Sequence, residues 1–446
     1  MSEHCGFIVK IEHLRKHSNA DRLQVLTVFG NDTCVSLDAK VGDLGVYFPT
    51  DLQLSEEFCH ANHLCRKKLD GTPDTGYMDN NKRNVTTIRL RGEKSDGVYL
   101  PIHCFDYIYG EGKSAEHFEV GMKIEIVDGH EICKKYIPNR PQKVSRERNK
   151  VRKNKVAVAP LFREHADTEQ LAYNLAAFKP GDIVELTLKM HGTSQRTGYL
   201  PVLKTMKRSL LDKILHREGT PVYDWGYVTG TRRTVLQNFE GGYYGSDAFR
   251  EEHSKFFEGK LNKGETVYYE VVGWVNEERP IMATVSNKAT NDKAFIKQYG
   301  EKTTFSYGCE PGTSKAYVYR MTTTNEDGDV VELSPDQMRY RCEQMGANVV
   351  PLFERVMIPS EEDLSDLGMT AGDYIMSAVE RYYDGADPIG KTHVREGVVA
   401  RILNRSGFVA YKHKNFSFKV IEGIAKSDAL APDMEEAEEV NTENEI

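Results

Sequence analysis

Short apolar stretches recur along the first third of the chain, and turn residues separate most of them. Runs of this kind predict β-strands, because successive side chains alternate between the two faces of a strand. Many short strands joined by Gly- and Asp-rich turns predict a small barrel or sandwich over residues 1–135. The stretches are Gly6–Ile11, Leu23–Val28, Gly45–Phe48, Val85–Leu90, Gly97–Leu100 and Met122–Val127.

Beyond residue 155, strand-like and helix-like stretches mix and predict an α+β domain over residues 156–425. A helix is expected around Asp167–Leu175, with Asp167 or Thr168 as its N-cap. Leu203–Leu215 is a second helix-like stretch. Three strongly β-forming stretches carry charged side chains, namely Glu185–Lys189, Thr266–Gly273 and Phe408–Phe418.

Charge subdivides the chain further. Between Lys134 and Lys155 ten basic residues accompany one acid, Glu147, and predict an exposed linker over 136–155. Such a run is ordinarily solvated, but beside a nucleotide-transfer site it becomes a phosphate contact. Residues 426–446 hold eight acids and one lysine, giving −7 of the net −8 and leaving −1 for the rest. This tail has the composition of a disordered segment.

A length of 446 residues predicts two or three domains, and 39% apolar with 28% charged residues fits a globular protein. No apolar run approaches the ~18 residues of a membrane span, and the start of the chain lacks a signal-peptide pattern, so we expect a cytoplasmic protein. Eight cysteines without a Cys-x-x-Cys pair predict reduced thiols. Cys59–Cys65 has a metal-like spacing, but a short helix or loop with buried sulfur is favoured over a zinc site.

Lys189 ends an apolar-alternating strand and is followed almost at once by Gly192, Thr193 and Ser194. An amine at the floor of a pocket is partly desolvated, which lowers its pKa and makes it nucleophilic. The alternative is a solvated surface lysine. Because a single Lys-x-x-Gly occurs by chance in many proteins, its interpretation depends on partners further along the chain.

Four stretches downstream carry the side chains that nucleotidyl transfer requires. Arg232 and Arg233 follow a strand and suit a phosphate. Single carboxylates stand in β-forming stretches at 270 and 396, where a ribose hydroxyl or a divalent metal fits them. Two lysines, two residues apart on a strand, present both amines to one face and suit the α-phosphate. Taken alone, the stretch around 270 is about as typical of an edge strand with a solvent-facing glutamate, and the other three are more typical of exposed charge. The acids and lysines are Glu270, Glu396, Lys412 and Lys414.

Taken together, these stretches resemble the motifs of the covalent nucleotidyltransferases, which include polynucleotide ligases and capping enzymes. Lys-x-His-Gly-Thr at 189–193 and Lys-x-Lys-Asn-x-x-Phe at 412–418 are most similar to nick-sealing RNA ligases of phage and bacteria. The resemblance covers most of residues 160–420. It implies ATP and Mg²⁺ or Mn²⁺ as cofactors, AMP carried on Lys189, its transfer to a 5′-phosphate RNA end, and its displacement by a 3′-hydroxyl.

The resemblance also implies roles for further residues. Glu270 and Glu396 are the metal candidates, and Tyr319 is preferred over Tyr317 for stacking on adenine. Leu188 stands where many family members have a glutamate. Whether Arg232 or Arg233 binds phosphate stays open. The nucleotide-binding candidates are His191, Gly192, Arg232, Arg233, Glu270, Tyr319, Glu396, Lys412 and Lys414.

His17–Val25 resembles the opening of OB-fold nucleic-acid-binding domains, and an OB domain before a ligase domain is similar to Deinococcus-type RNA ligases. This implies an OB-like barrel followed by a ligase-type domain of antiparallel sheets and helices. Basic residues in the first domain and in the 203–215 stretch are candidates for contact with nucleic acid, with ordinary surface positions as the alternative. They are Arg83, Arg89, Arg91, Lys204, Lys207 and Arg208.

DNA ligases and capping enzymes carry an OB domain after the last lysine motif. Here 32 residues follow Lys414, and 21 of them form the acidic tail. We therefore expect an ATP-dependent RNA ligase that repairs RNA ends at nicks. We expect it to be a monomer and to have no membrane partner. The alternatives are a DNA ligase or capping-type enzyme, and a non-catalytic nucleic-acid-binding protein with a ligase-like fold.

Overall fold

The computed structural model describes residues 4–137, 157–166, 168–209, 219–236, 239, 244 and 246–427. Most of the expected linker and acidic tail lies outside these residues. The chain divides into two compact units, and each is discontinuous in sequence. The first contains 1–140, 285–302 and 416–431, and the second contains 141–284, 303–415 and 432–446. The division into a nucleic-acid-binding domain over 1–135 and a ligase domain over 156–425 stays a prediction.

The fold is a mixture of helices and mainly antiparallel strands, as predicted. The strands before residue 137 are β1 Gly6–Lys10, β2 Leu14–Lys16, β3 Leu23–Val28, β4 Asn31–Ser36, β5 Leu44–Phe48, β6 Leu52–Leu54, β7 Ile88–Leu90, β8 Glu93–Ser95, β9 Val98–Pro101, β10 Lys123–Ile124, β11 Ile126–Val127, β12 His130–Glu131 and β13 Cys133–Lys135. The later strands are β14 Glu169–Gln170, β15 Ile183–Lys189, β16 Thr193–Lys207, β17 Thr220–Gly230, β18 Val235–Leu236, β19 Glu265–Gly273, β20 Val285–Ser286, β21 Lys302–Thr303, β22 Ser314–Thr324, β23 Val330–Glu332, β24 Asn348–Val349, β25 Leu352–Met357, β26 Gly397–Ile402 and β27 Val409–Lys414.

The longer helices begin at side chains that satisfy the free N–H groups of the first turn. Ser334 and Thr370 each form a capping box, with Gln337 and Asp373 respectively. The α-helices are α1 Glu56–Ala61, α2 Asp106–Tyr109, α3 Ala248–Phe257, α4 Lys293–Tyr299, α5 Pro335–Met345, α6 Glu361–Asp366, α7 Ala371–Tyr383 and α8 Phe416–Ser427. No helix among the described residues is both long and apolar enough to cross a bilayer.

The first unit is built around small sheets. Its largest has the strand order β10-β1-β5-β9, and β2, β3 and β4 form a separate three-stranded sheet. Side chains from β1, β5, β6 and α1 pack into one apolar core, which includes Ile8, Phe48, Leu54 and Phe58. The strands described here do not close into a barrel, so the structure supports the β-rich expectation but not the closed OB barrel.

Two sheets dominate the second unit. One has the order β14-β27-β26-β15-β25, and the other has β18-β17-β16-β19-β22-β23, with β24 also paired to β22. Along β15 the side chains alternate as the sequence predicts. Val184, Leu186 and Leu188 are buried, and Thr187 and Lys189, which alternate with them, border a cavity that Leu188 also contacts.

Two helix predictions were wrong. The stretch expected as a helix around Asp167–Leu175 forms β14 followed by short 3₁₀ turns, Leu171–Tyr173 and Leu175–Ala177. Asp167 lies outside the described residues. The first half of Leu203–Leu215 belongs to β16, where it pairs with β17. Tertiary pairing therefore overrides the helix-like local composition there, and residues 210–215 lie outside the described part.

Candidate active site

Three adjacent strands bring the nucleophile candidate next to the last lysine motif. In the register of β15, β26 and β27, Lys189 pairs with Gly397, and Gly397 pairs with Lys414. The next row on the same face contains Thr187, Val399 and Lys412. Side chains two residues apart on a strand share a face, and Lys189, Lys412 and Lys414 all line one cavity. The prediction that both late lysines face the same side is consistent with this geometry.

Glu396 lies between two of these amines, those of Lys189 and Lys414. Its Oε1 atom is 3.1 Å from Lys189 Nζ and 3.4 Å from Lys414 Nζ, and Glu396 is only 2% exposed. A buried carboxylate is costly unless charged groups compensate it. The two lysines supply that compensation, so the solvated-glutamate alternative at this position is excluded.

Two glycines allow the close approach of these strands. A Cβ on Gly397 would lie 2.0 Å from the carbonyl oxygen of His413 on β27. A Cβ on Gly192 would lie 2.4 Å from the carbonyl oxygen of Val271 on β19. The chain therefore passes from β15 in one sheet to β16 in the other at a point where a larger residue does not fit.

The second sheet supplies the opposite wall. β19 lies between β16 and β22, and its Glu270 is 8% exposed and borders the cavity, which excludes an edge strand with a solvent-facing glutamate. On β22 the register shift leaves Tyr319 without an opposite residue, because Tyr268 pairs with Arg320 and Tyr269 with Val318. Such a bulge re-aims a side chain.

Tyr319 is the tyrosine that faces the cavity, whereas Tyr317 is buried outside its lining. The Tyr319 hydroxyl lies 3.1 Å from Ser194 Oγ, and the ring contacts His165 edge-on at 5.0 Å. Burial raises the pKa of the Tyr319 hydroxyl, and the charge of Glu270 acts in the same direction. A neutral aromatic ring anchored by its hydroxyl is suited to stacking on a base.

The cavity between these walls contains about 1030 Å³ of empty space, part of it open to solvent. Arg232 borders it, and Arg233 does not. The carbonyl of Arg233 instead accepts a hydrogen bond from the buried Arg196 guanidinium. Of the two arginines that were candidates from the sequence, Arg232 is therefore the one at the cavity.

The cavity lining also includes charged residues that the sequence did not identify as site candidates, namely Glu185, Arg339 and Arg401. Glu185 on β15 forms ion pairs with Arg339 and, at 2.7 Å, with Arg355. Arg401 on β26 pairs with Glu332 at 3.1 Å. Their sequence contexts resemble any strand or helix with surface charge, and only the tertiary fold brings them together.

A buried cluster lies behind the turn that follows Lys189. The backbone N–H of His191 donates to the Tyr307 hydroxyl at 2.6 Å, and the imidazole contacts Phe305 edge-on at 4.6 Å. Tyr307 in turn contacts the ring of His393, with 4.5 Å between centroids. The sequence offered no signal for this cluster, because its members come from loops far apart in the chain.

Carboxylates of the cavity fit a hard divalent cation. Among the described residues, Glu270 borders the cavity, and Glu396 Oε2, next to the cavity-lining Lys189 and Lys414, is buried without a hydrogen-bond partner. No set of three His, Cys, Asp or Glu side chains that could enclose a metal is found in that part of the chain. Carboxylate oxygens are the ligands that Mg²⁺ and Mn²⁺ take up alongside water and phosphate oxygens, so this pair of side chains suits such an ion.

The eight cysteines are all free thiols, as expected, and Cys59 is buried on α1, next to its C-terminal end. Burial raises the pKa of the Cys59 thiol, and the neighbouring Cys65 adds to that effect. Cys59–Cys65 thus matches the favoured interpretation of a short helix with buried sulfur, and it gives no support for zinc.

The candidates for nucleic-acid contact differ in their surroundings. In the first unit, the Arg83 guanidinium donates to the carbonyls of Leu54 and Asn80, and Arg89 pairs with Asp292 at 3.0 Å. Both side chains therefore hold the unit together. Arg91 is exposed in the turn between β7 and β8.

In the second unit, Lys204 and Lys207 lie on β16, and Arg208 directly follows that strand; all three are exposed. Lys204 pairs with Asp224 at 2.8 Å. The exposure of all three side chains leaves them accessible to a polyanion, although the stretch is not the expected helix.

Comparison with known proteins gives a structural relationship without a sequence relationship. No family model matches the chain, and no curated protein matches it by sequence. The fold is similar to that of a Naegleria gruberi RNA ligase variant with AMP and Mn, with a TM-score of 0.54, 16% identity, and coverage of 94% of this chain and 98% of that chain. For another variant of that ligase, with ATP and Mn, the TM-score is 0.54 at 16% identity, with coverage of 93% of this chain and 98% of that chain. For the same ligase with PPi the TM-score is 0.54 at 15% identity, with coverage of 94% of this chain and 98% of that chain. The chain therefore shares the fold of the Naegleria gruberi RNA ligase along nearly its whole length.

Proposed function

We propose that this protein is an ATP-dependent RNA ligase whose nucleotide carrier is Lys189. The observation that carries the proposal is the arrangement of Lys189, Glu396 and Lys414 on three paired strands, with Glu396 Oε1 within 3.4 Å of both amines. The shared fold with a ligase seen with ATP, AMP and PPi supports the same reaction.

The first step forms a lysyl nucleotide. The neutral Lys189 amine attacks the α-phosphorus of ATP, a P–N bond forms, and the bond to the bridging oxygen breaks as pyrophosphate leaves with its electrons. Lys189 becomes neutral before the attack by passing one proton to Glu396 Oε1, its partner at 3.1 Å, and the nitrogen releases a second proton to solvent once the P–N bond has formed. Lys412 and Lys414 border the same cavity and stabilise the negative charge that develops on the phosphate oxygens.

The remaining residues bind the nucleotide in this proposal. Tyr319 stacks on the adenine, Arg232 binds phosphate, and Glu270 binds the ribose or a metal-bound water. His191 and Gly192 form the turn after Lys189 that places the amine. A divalent cation held near Glu270 and Glu396 neutralises phosphate charge when it is bound.

The second and third steps use RNA ends. A 5′-phosphate oxygen attacks the phosphorus of the lysyl nucleotide, which breaks the P–N bond and returns the amine. A 3′-hydroxyl oxygen then attacks the 5′-phosphorus, and AMP leaves. The exposed Lys204, Lys207, Arg208 and Arg91 are the proposed backbone contacts, with an OB-like first unit as a further strand-binding surface.

In this proposal the substrate is a nicked duplex and the active form is a monomer. The protein repairs RNA in the cytoplasm. Eight free thiols are in keeping with a reducing compartment.

Incubation with α-labelled ATP and Mg²⁺ or Mn²⁺ tests the first step. A labelled protein band is expected, and it is expected to vanish in Lys189→Ala and to persist in Lys297→Ala, an exposed lysine on α4. A wild-type protein that takes no label from ATP, or only from GTP, contradicts the proposal.

Nicked duplexes with RNA or DNA on the 3′-hydroxyl side test the substrate. Sealing is expected to require RNA there. Equal sealing of all-DNA nicks would instead identify a DNA ligase.

A further inference from the structure

A buried cluster outside the cavity connects the two segments that carry His191 and Glu396. Tyr307 lies between them and accepts the His191 backbone N–H at 2.6 Å. Its hydroxyl is fully buried, and burial together with the charge of Glu396 raises its pKa far above the ordinary value. The hydroxyl is therefore neutral, and it is a fixed acceptor for the turn that follows Lys189.

The backbone around Tyr307 is itself held in an unusual conformation. Tyr307 has a φ of 51°, a left-handed value that is rare for a bulky residue. A Cβ on Gly390 would lie 2.4 Å from the backbone nitrogen of Gly308, so the turn containing Gly390 presses directly on the Tyr307–Gly308 peptide. A rarely occupied conformation persists only where the surrounding packing enforces it.

Asp387 organises that turn. Its carboxylate is fully buried and accepts the backbone N–H groups of Ile389 and Gly390 at 2.9 Å each, and of Thr392 at 3.1 Å. The backbone N–H of Asp387 donates to the carbonyl of His393 at 2.8 Å. The turn is thus closed by its own carboxylate and carries the chain towards Glu396.

His393 joins the turn to Tyr307. Its Nδ1 donates to the carbonyl oxygen of Val394 at 2.9 Å, which assigns the proton to Nδ1 because a carbonyl only accepts. Nε2 is buried and 3.9 Å from Asp387 Oδ2, and it has no hydrogen-bond partner among the described residues. His393 thus joins the Asp387 turn, through its carbonyl, to the Tyr307 ring, through its imidazole.

We propose that Tyr307, supported by His393 and Asp387, is a positioning residue that fixes the His191 turn and the Glu396 carboxylate relative to each other, and so sets the geometry of the Lys189 amine. The inference rests on the proposed nucleotidyl transfer. His393 is three residues before Glu396, and His191 is two residues after Lys189, so one buried block controls both partners of the 3.1 Å ion pair.

The decisive variant is Tyr307→Phe, which keeps the ring and removes only the acceptor. At saturating ATP, we expect lysyl-nucleotide formation to slow about tenfold, the size of effect that a lost hydrogen bond to a positioned group produces. The KM for ATP is expected to change less than about twofold, because the nucleotide contacts are intact. Tyr99→Phe is the matched control, since the Tyr99 hydroxyl is also buried but has no hydrogen-bond partner among the described residues.

His393 provides a second pair of variants. His393→Asn can still donate to the Val394 carbonyl, whereas His393→Leu cannot. The inference predicts that the leucine variant loses rate and the asparagine variant recovers part of it, with similar unfolding midpoints. Equal rates in the two variants contradict the proposed role of His393.

Backbone amide exchange at His191 provides a measurement that is independent of activity. The amide is expected to exchange faster in Tyr307→Phe than in the wild type and in Tyr99→Phe. Unchanged exchange, or an unchanged rate of lysyl-nucleotide formation, overturns the inference. A wild-type protein that takes no label from any nucleotide refutes the proposed function instead, and the exchange result then still decides whether Tyr307 holds the turn.

Discussion

Lys189 and Glu396 form a buried ion pair, with 3.1 Å between Nζ and Oε1, across the paired strands β15 and β26. The same oxygen is 3.4 Å from Lys414 Nζ. One carboxylate therefore orients two amines with different proposed tasks, one that attacks phosphorus and one that stabilises the charge on its oxygens.

Glu396→Gln keeps the shape and removes the charge. We expect lysyl-nucleotide formation to fall by roughly 100-fold, a typical loss when a charged group beside the reacting atoms is removed. Rapid-quench measurement of labelled protein gives the rate, and an unfolding curve shows whether the variant remains folded. A folded variant with wild-type rate contradicts the central role of this carboxylate.

Tyr319 should contribute mainly through its ring. Tyr319→Ala is expected to raise the KM for ATP roughly tenfold or more, because stacking on a base contributes about 1–3 kcal/mol. Tyr319→Phe loses only the 3.1 Å contact with Ser194 and is expected to stay within a few-fold of the wild type. Similar KM values for the alanine variant and the wild type would place the base elsewhere.

Substitutions of the neighbouring Arg232 and Arg233 are expected to affect the reaction to different extents. Arg232 borders the cavity and Arg233 does not, so Arg232→Ala should lower the rate of lysyl-nucleotide formation far more than Arg233→Ala. Side-by-side labelling of the two variants measures this. The reverse order would require the phosphate to bind outside the cavity.

Gly397→Ala tests the close approach of β26 and β27. The added Cβ would meet the carbonyl oxygen of His413 at 2.0 Å, so the strands must separate. We expect a loss of about 1–3 kcal/mol in the free energy of unfolding, as for other overpacked sites. Gly423→Ala on α8, with no atom within 4 Å of the added Cβ, is the control and should be neutral or slightly stabilising.

His253 on α3 predicts a pH dependence of stability. Burial lowers the pKa of His253 from 6.5 to about 4, and the charge of Arg250 acts in the same direction. Between these values the unfolded chain binds the proton and the folded chain does not, so stability falls as the pH drops through this window.

Once the pH is below about 4, the free energy of unfolding is lower by about 3 kcal/mol than at neutral pH, as far as His253 is concerned. His253→Gln, which can still bond Ser314 Oγ, should flatten the pH dependence of the urea midpoint between pH 4 and 7. An equally steep dependence in this variant would assign it to other groups.

The sequence identified the candidate residues that line or border the cavity better than the residues that pack behind them. No single stretch singled out Lys189, Glu270 or Glu396; their order along the chain, their strand contexts and the family resemblance together did so. Tyr307 and His393 lie in loops without such a pattern, and only long-range packing brings them to the site.

Local composition also failed where pairing decides the structure. The charged, leucine-containing stretch from Leu203 resembles a helix, yet its first residues extend β16 because β17 pairs with them. For Arg83 and Arg89, local composition did not reveal the partners of the side chains. Their charge suggested an accessible surface, but hydrogen bonds and ion pairs within the first unit engage them.

The first unit contains an ion pair between Asp96 and Lys419, which are 323 positions apart. On a ribosome that adds about 5–20 residues per second, Asp96 emerges at least ~16 seconds before its partner. The earliest part of the chain therefore lacks this native contact during its own synthesis and gains it only after α8 has been translated. Shortening the chain before α8 is thus expected to damage the segment made first as well as the segment removed.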